Sequence, residues 1–355
     1  MAPRAKIEEI PETDRIEGFP HPRETLALAG QGHALARAAR AIRKGQPPQG
    51  WLIAGPPGIG KATLAYRIAR YVLAYGATAQ GAEDLSVPAR EPNAMQIAAG
   101  SHPGLLVLKR GLNDSGKLMN DLSVNVVRKL GSFFGMTSGA GGWRVAIVDT
   151  ADDMNDAAAN ALLKMLEEPP PRALLILLSN VPGRLLPTIR SRCQRLDLRP
   201  LDAATVEAEL ARLLPDASAG ERAALARLSG GSIGMALQLA QGDSVALARE
   251  ADRLLEHAAQ PDMAAILALA DKIGRGADNF QAFGNFLGEA LMARIRARAI
   301  SGGTHLDRWV ECLNRLNASF ARTAALNLEP RQTLLSAAGQ LAQVSRRTGR
   351  SADRG

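Results

Sequence analysis

Through the first two hundred residues, short apolar runs alternate with longer stretches of helical spacing; past Pro200 only the helical spacing continues. Residues 51–54, 105–109, 144–149 and 174–178 form such apolar runs, and runs this short bounded by turn residues read as buried parallel strands. Between them, residues 27–43, 62–75, 124–134 and 155–168 carry helical spacing, and Pro169-Pro170-Pro171 halts the last. Residues 76–100 are small and polar and read as an irregular excursion, while 139–142 read as a turn. Strands and helices in alternation imply a parallel sheet flanked by helices, an α/β fold.

Beyond Pro200, residues 203–214, 219–228 and 233–241 predict three short helices, a small helical lid. Longer helices follow from about residue 246, with Phe283, Phe286, Leu287, Ala290 and Leu291 on one face as core positions. The organisation expected is therefore a loose arm over 1–20, an α/β domain over 21–199 and the lid over 200–245. An all-helical domain over 246–345 and a basic, disordered tail over 346–355 complete it.

Composition narrows the class. With 355 residues, 46% of them apolar, the chain can bury two or three domain cores and reads as soluble. Its longest strongly apolar run, 173–178, is far too short to cross a bilayer, so no membrane partner is expected. The polar first residues carry no secretion-signal pattern, and Cys193 and Cys312 are too few for a disulfide framework or a four-thiolate zinc site. A cytoplasmic address without zinc is the expectation. The net charge of +8 suits a polyanion, or equally an Arg-rich solvated surface. Aromatic residues make up only 4%, too few for a base-stacking platform, so any DNA contact would be to phosphates.

The candidate chemistry begins at Gly55. The phosphate-loop pattern G-x-x-x-x-G-K-[ST] is met by Gly55, Gly60 and Lys61 but ends on Ala62. Glycines, Gly58 among them, let successive backbone N–H groups face phosphate oxygens, and Lys61 would reach the β- and γ-phosphates. The hydroxyl that would hold Mg²⁺ is missing. Thr63 comes one residue late, about 100° further round a helix. Asp149 ends an apolar strand, as the Mg²⁺-facing Asp of a P-loop ATPase does. Thr150 stands where hydrolysing members place a water-activating Glu, and Asp152 or Asp153 would need a bent path to replace it.

The stretch from Asp156 through LEEPPP to Arg172, then LLILLSNVPGRLLPTIRSRCQRL, resembles the bacterial clamp-loader family. The likeness is nearest to the delta-prime subunits of the DNA polymerase III holoenzyme. It takes in His21-Pro22-Arg23, Gly30 to His33, the phosphate loop, Asp149 and Ser191-Arg192-Cys193, over roughly residues 20–200. It implies an AAA+ module, a lid and a C-terminal collar that joins gamma/tau and delta subunits in a five-membered ring. Such a ring opens a sliding clamp and places it on primed DNA. The family places an arginine finger at Arg192, projecting into the ATP site of an adjacent motor subunit. Taken alone, Arg192 also fits a surface arginine paired with a nearby carboxylate. Ser179 and Asn180 stand where a strand-end polar residue senses nucleotide, or serve as ordinary caps. The family's sensor arginine is replaced by Gly234, and no cysteine lies in 76–120 for the zinc module many members carry.

The reading this favours is a largely non-hydrolysing stator, an accessory subunit of a DNA-directed DNA polymerase (a nucleotidyltransferase) with no polymerase chemistry of its own. The alternatives are an ATP-hydrolysing AAA+ motor of replication or repair, using Thr63 and Asp152, and a P-loop nucleotide kinase. The sequence leaves open whether Gly55 to Lys61 hold ATP or ADP weakly without Mg²⁺.

Overall fold

In the computed structural model, residues 15–45, 47–111, 119, 121–135, 142–273, 277–326 and 328–349 are described. Residues 1–14 of the arm expected over 1–20, residues 139–141 of the turn expected over 139–142 and residues 350–355 of the expected tail lie outside them. The apolar runs become β1 (Gly50–Ala54), β2 (Leu105–Leu108), β3 (Arg144–Val148) and β4 (Ala173–Ser179). A fifth strand, β5 (Gln194–Asp197), completes a parallel sheet in the order β2-β3-β4-β1-β5. Central strands are covered on both faces, and all seven residues of β4 are accordingly buried.

Because successive side chains of a strand point to opposite faces, this sheet feeds two cores. On one face Trp51, Ile53, Val145, Ile147, Leu174 and Ile176 pack with α1 (Gly32–Arg43) and α2 (Lys61–Tyr75). On the other, Leu52, Ala146, Val148, Leu175 and Leu177 pack with α4 (Val124–Gly135) and α5 (Asp156–Glu167). The side chain of Asn155 caps α5 by accepting the N–H of Ala158. This is the α/β P-loop module that the resemblance to AAA+ proteins implies.

The structure corrects four expectations. Helix α1 starts at Gly32 rather than 27, because the side-chain amide of Gln31 bonds the backbone of Arg199 and holds the preceding segment off the helix. The excursion over 76–100 contains α3 (Pro92–Ala98), with Pro92 in its first turn and Glu91 capping Ala94 N–H. The segment following β4 folds as α6 (Pro187–Arg192) and then β5, neither anticipated. Arg346 and Arg347 are helical rather than a loose tail.

Two compact units divide the chain, residues 1–237 and 238–355. The first also holds α7 (Ala203–Leu213) and α8 (Ala219–Leu228), and α9 (Ile233–Ala240) runs across the boundary. The second contains α10 (Ser244–Glu256), α11 (Met263–Ile273), α12 (Ala277–Ile300), α13 (Leu306–Ala325) and α14 (Pro330–Gly349). Its core is built on Phe283, Phe286, Leu287 and Leu291 of α12, with Phe280 stacked on Phe320 of α13 at 5.0 Å between ring centroids.

Candidate functional site

The loop between β1 and α2 passes through three glycines with positive φ, Gly55 at 156°, Gly58 at 70° and Gly60 at 101°. Side-chain-bearing residues rarely adopt such values, so these positions set the loop's shape. Lys61 opens α2, and Ala62 and Thr63 follow in its first turn. The ammonium of Lys61 turns back into the loop. It donates to the carbonyl oxygens of Gly55 at 2.8 Å and Pro56 at 2.7 Å, and to Oδ1 of Asn180 at 2.7 Å. Burial pulls its pKa down to about 8, against the charges of Asp149 and Asp152, which favour the ammonium.

Asp149 directly follows β3 and Asn180 directly follows β4, so the sheet brings both predicted residues to Lys61. The sequence did not reveal the part played by Asp152. Its carboxylate accepts the backbone N–H groups of Asn180, at 3.1 and 3.2 Å, and of Val181 at 3.0 Å. It therefore holds the β4 terminus. Asp153 pairs with Arg110 at 3.5 Å. Thr150 sits in the left-handed region at φ 50°, an uncommon place for a β-branched residue, and starts the 3₁₀ turn Ala151–Asp153. Ser179 is fully buried at the end of β4, and its hydroxyl finds no hydrogen-bond partner among the described residues.

Residues at the start of α9 press on the loop's apex. Gly234 donates its N–H to the carbonyl of Gly58 at 2.9 Å, and the Ser232 hydroxyl donates to the carbonyl of Pro57 at 2.9 Å. A β-carbon added at Gly58 would meet Ser232 Oγ at 2.5 Å and the Met235 nitrogen at 2.9 Å. Gly234, at the position where the resemblance implies a sensor arginine, thus makes a close backbone-to-backbone contact with the loop. The glycines and Lys61 retain the shape and charge that fit a phosphate group. Ala62 offers no hydroxyl for the Mg²⁺ that accompanies it, and among the described residues no three His, Cys, Asp or Glu side chains gather as a metal site.

Arg192 stands apart, at the C-terminus of α6. Its guanidinium pairs with Glu167 of α5 at 2.9 Å and donates to the Thr188 carbonyl at 3.1 Å, with 39% of the side chain still exposed. The neighbouring Cys193 is buried, and burial pushes its thiol up to about 12. A β-carbon at Gly50 would meet Leu166 at 2.7 Å and Cys193 Sγ at 3.2 Å. Cys193 is thus an anchor that packs inward while Arg192 faces out. Its partner Glu167 belongs to the Leu-Glu-Glu-Pro run, but sequence alone did not assign it to Arg192.

Comparison with known proteins places this geometry. Residues 30–202 match the family described as DNA polymerase III, delta subunit. The chain is 41% identical over 191 residues to DNA polymerase III subunit delta' of Pseudomonas aeruginosa, covering 53% of this chain and 55% of that protein. Its identity to the Escherichia coli subunit delta' is 39% over 193 residues, covering 54% of each. To DNA polymerase III subunit gamma/tau of Mycobacterium tuberculosis it is 32% over 200 residues, covering 54% of this chain and 31% of that one. The chain spans about half the length of the curated delta' relatives it matches. Through residues 30–202, then, where the sheet, the phosphate loop and Arg192 all lie, the chain is similar to the family described as DNA polymerase III, delta subunit, and to the delta' subunits of two bacteria.

Proposed function

We propose that the chain is a clamp-loader subunit of the replicative DNA polymerase III holoenzyme, acting as a largely non-hydrolysing stator. In this reading Arg192 enters the ATP site of a neighbouring motor subunit while a sliding clamp is loaded on primed DNA. A guanidinium placed at the γ-phosphate stabilises the charge that develops on the transferring phosphoryl group, an effect on the order of 10³ to 10⁵ in rate. The observation that carries the proposal is a contrast within one domain. The hydrolytic positions hold Ala62, Thr150 and a lid glycine seated on the loop, whereas Arg192 stays at the surface.

The alternative, a hydrolysing motor built on Thr63 and Asp152, is weakened because both oxygens of Asp152 accept backbone N–H groups. Residues 200–245 act here as the lid and 246–345 as the collar, joining gamma/tau and delta subunits in a hetero-pentameric cytoplasmic ring. Contacts to primer-template DNA run through phosphates. Any ATP or ADP held at Gly55 to Lys61 is bound weakly.

The experiment is ATP turnover by the assembled motor subunits with clamp and primed DNA, comparing the natural chain with Arg192→Ala. The chain alone serves as control. An inert chain whose Arg192→Ala form cuts ring turnover at least a hundredfold supports the finger in trans. Normal turnover with Arg192→Ala rules the finger out. Turnover by the chain alone, abolished by Lys61→Ala, makes it a motor.

A further inference from the structure

The helical unit of residues 238–355 contains a cavity of about 140 Å³ that plays no part in the reading above, lined by Leu255, Leu291, Arg294, Ile295, Arg298, Trp309 and Ser345. Its walls come from α10, α12, α13 and α14. Leucine and isoleucine side chains form the apolar part. Its size sets what can enter: an engineered apolar cavity of about 150 Å³ takes up benzene, so this one accepts a single aromatic or branched side chain.

The remaining lining calls for an anion. Arg294 and Arg298 lie one turn apart on α12, and neither has a carboxylate partner among the described residues. Arg294 gives one N–H to the Asp252 carbonyl at 3.2 Å. The Arg298 guanidinium lies over the indole of Trp309, 5.6 Å from the ring centroid. Trp309 is only 8% exposed, yet its buried indole N–H has no acceptor among the described residues. That N–H is closed off from the cavity, as is the equally unsatisfied indole N–H of Trp51 in the sheet core, so the arginines are the anion-binding groups here. Trp and Arg are also the residues that most often dominate binding between proteins.

We propose that this cavity is the docking pocket for an acidic segment of a partner protein. One apolar side chain of that segment enters between Leu255, Leu291 and Ile295, and an adjacent carboxylate lies on Arg294 and Arg298. A nucleic-acid backbone suits the site less well. Its phosphates would meet the arginines but bring nothing for the apolar walls, and one face of Trp309 is already taken by Arg298. The inference does not depend on the stator reading.

The test uses the full chain and two capped dipeptides, acetyl-phenylalanyl-aspartyl amide and its asparaginyl counterpart, followed by calorimetry and tryptophan fluorescence. For ligands this small the expected Kd is on the order of 0.1–1 mM for the aspartyl probe, and about tenfold weaker for the asparaginyl one. Arg294→Gln and Arg298→Gln should each weaken the aspartyl probe about fivefold or more, since each removes one of the two charges that face its carboxylate. Arg298→Gln alters an exposed side chain and keeps the test decisive should Arg294→Gln, at a half-buried position, disturb folding. Equal binding of the two probes, or binding indifferent to Arg298→Gln, overturns the proposal, as does no binding at about 5 mM. A single-stranded DNA oligomer that binds with a steep salt dependence and is lost with Arg298→Gln assigns the cavity to nucleic acid and also overturns it.

Discussion

The amide nitrogen of Gly234 lies 2.9 Å from the carbonyl oxygen of Gly58, and a β-carbon at Gly234 would stand 2.6 Å from Gly58 Cα. The close neighbour is backbone, which cannot swing aside as a long side chain would. Gly234→Ala should therefore destabilise the chain by about 1–3 kcal/mol through overpacking, and Gly234→Arg by at least as much. Gly220→Ala in α8 makes a suitable control. No atom lies within 4 Å of its added carbon, and the substitution should be neutral or stabilise by up to about 1 kcal/mol. Urea midpoints of the three forms would check both signs.

Arg192 and Glu167 form a pair that is 39% and 49% exposed. Pairs so open to water contribute about 0–1 kcal/mol. Arg192→Ala is accordingly expected to keep the urea midpoint of the natural chain to within that margin. A larger loss would mean that Arg192 holds the domain together, and any fall in ring turnover would then need a structural explanation.

Lys61 titrates at about 8 when folded and at the ordinary 10.5 when unfolded. Between those values the unfolded chain binds the extra proton, so stability rises with pH. The contribution is fully present above about 10.5 and is lost as pH falls through about 8. Lys61→Met has no such group. The stability of the natural chain relative to Lys61→Met should climb between pH 7.5 and 9.5 by about 1–2 kcal/mol, at roughly 1.4 kcal/mol per pH unit above 8. A relative stability that stays flat or falls over this window would contradict the burial of the ammonium.

Both cysteines are buried and both thiols are pushed up by burial, Cys193 to about 12. The reactive form is the thiolate, so neither should react with Ellman's reagent in the folded chain at pH 8. In urea both should react quickly. Fast labelling of Cys193 in the native chain would contradict the anchoring that keeps Arg192 outward.

Local signals carried most of the α/β domain. Unbroken apolar runs made β1 through β4 legible, because a strand buried on both faces has no polar alternation to confuse the reading. Helix α3 was equally local, since Glu91-Pro92 is a cap followed by a first-turn proline; the small, polar residues around it masked the signal. β5 was harder to find. Its Gln194-Arg195-Leu196-Asp197 shows one buried residue in four, and pairing with β1 decides its state. The loop's glycines and Lys61 were readable as a motif. What covers them was not, because Ser232 meets Pro57 across 175 residues of chain and no local pattern encodes that contact. Asp152 shows the same limit: a carboxylate near a candidate catalytic strand reads as chemistry until its oxygens are found on two backbone amides.

The three hydrogen bonds of Lys61 carry a consequence for any anion that approaches the loop. The protein already supplies the ammonium with ligands of its own, so phosphate entry is an exchange reaction rather than simple capture. Hydrogen bonds to a charged group are worth about 1.5–3 kcal/mol each. Giving up even one without full replacement lowers affinity by about tenfold or more. The loop thus behaves as a site with a tethered competitor whose effective concentration cannot be diluted. A motor's loop would respond to nucleotide over a range set by its contacts alone. Here the threshold is raised from within, by whatever part of those three bonds the incoming anion fails to replace.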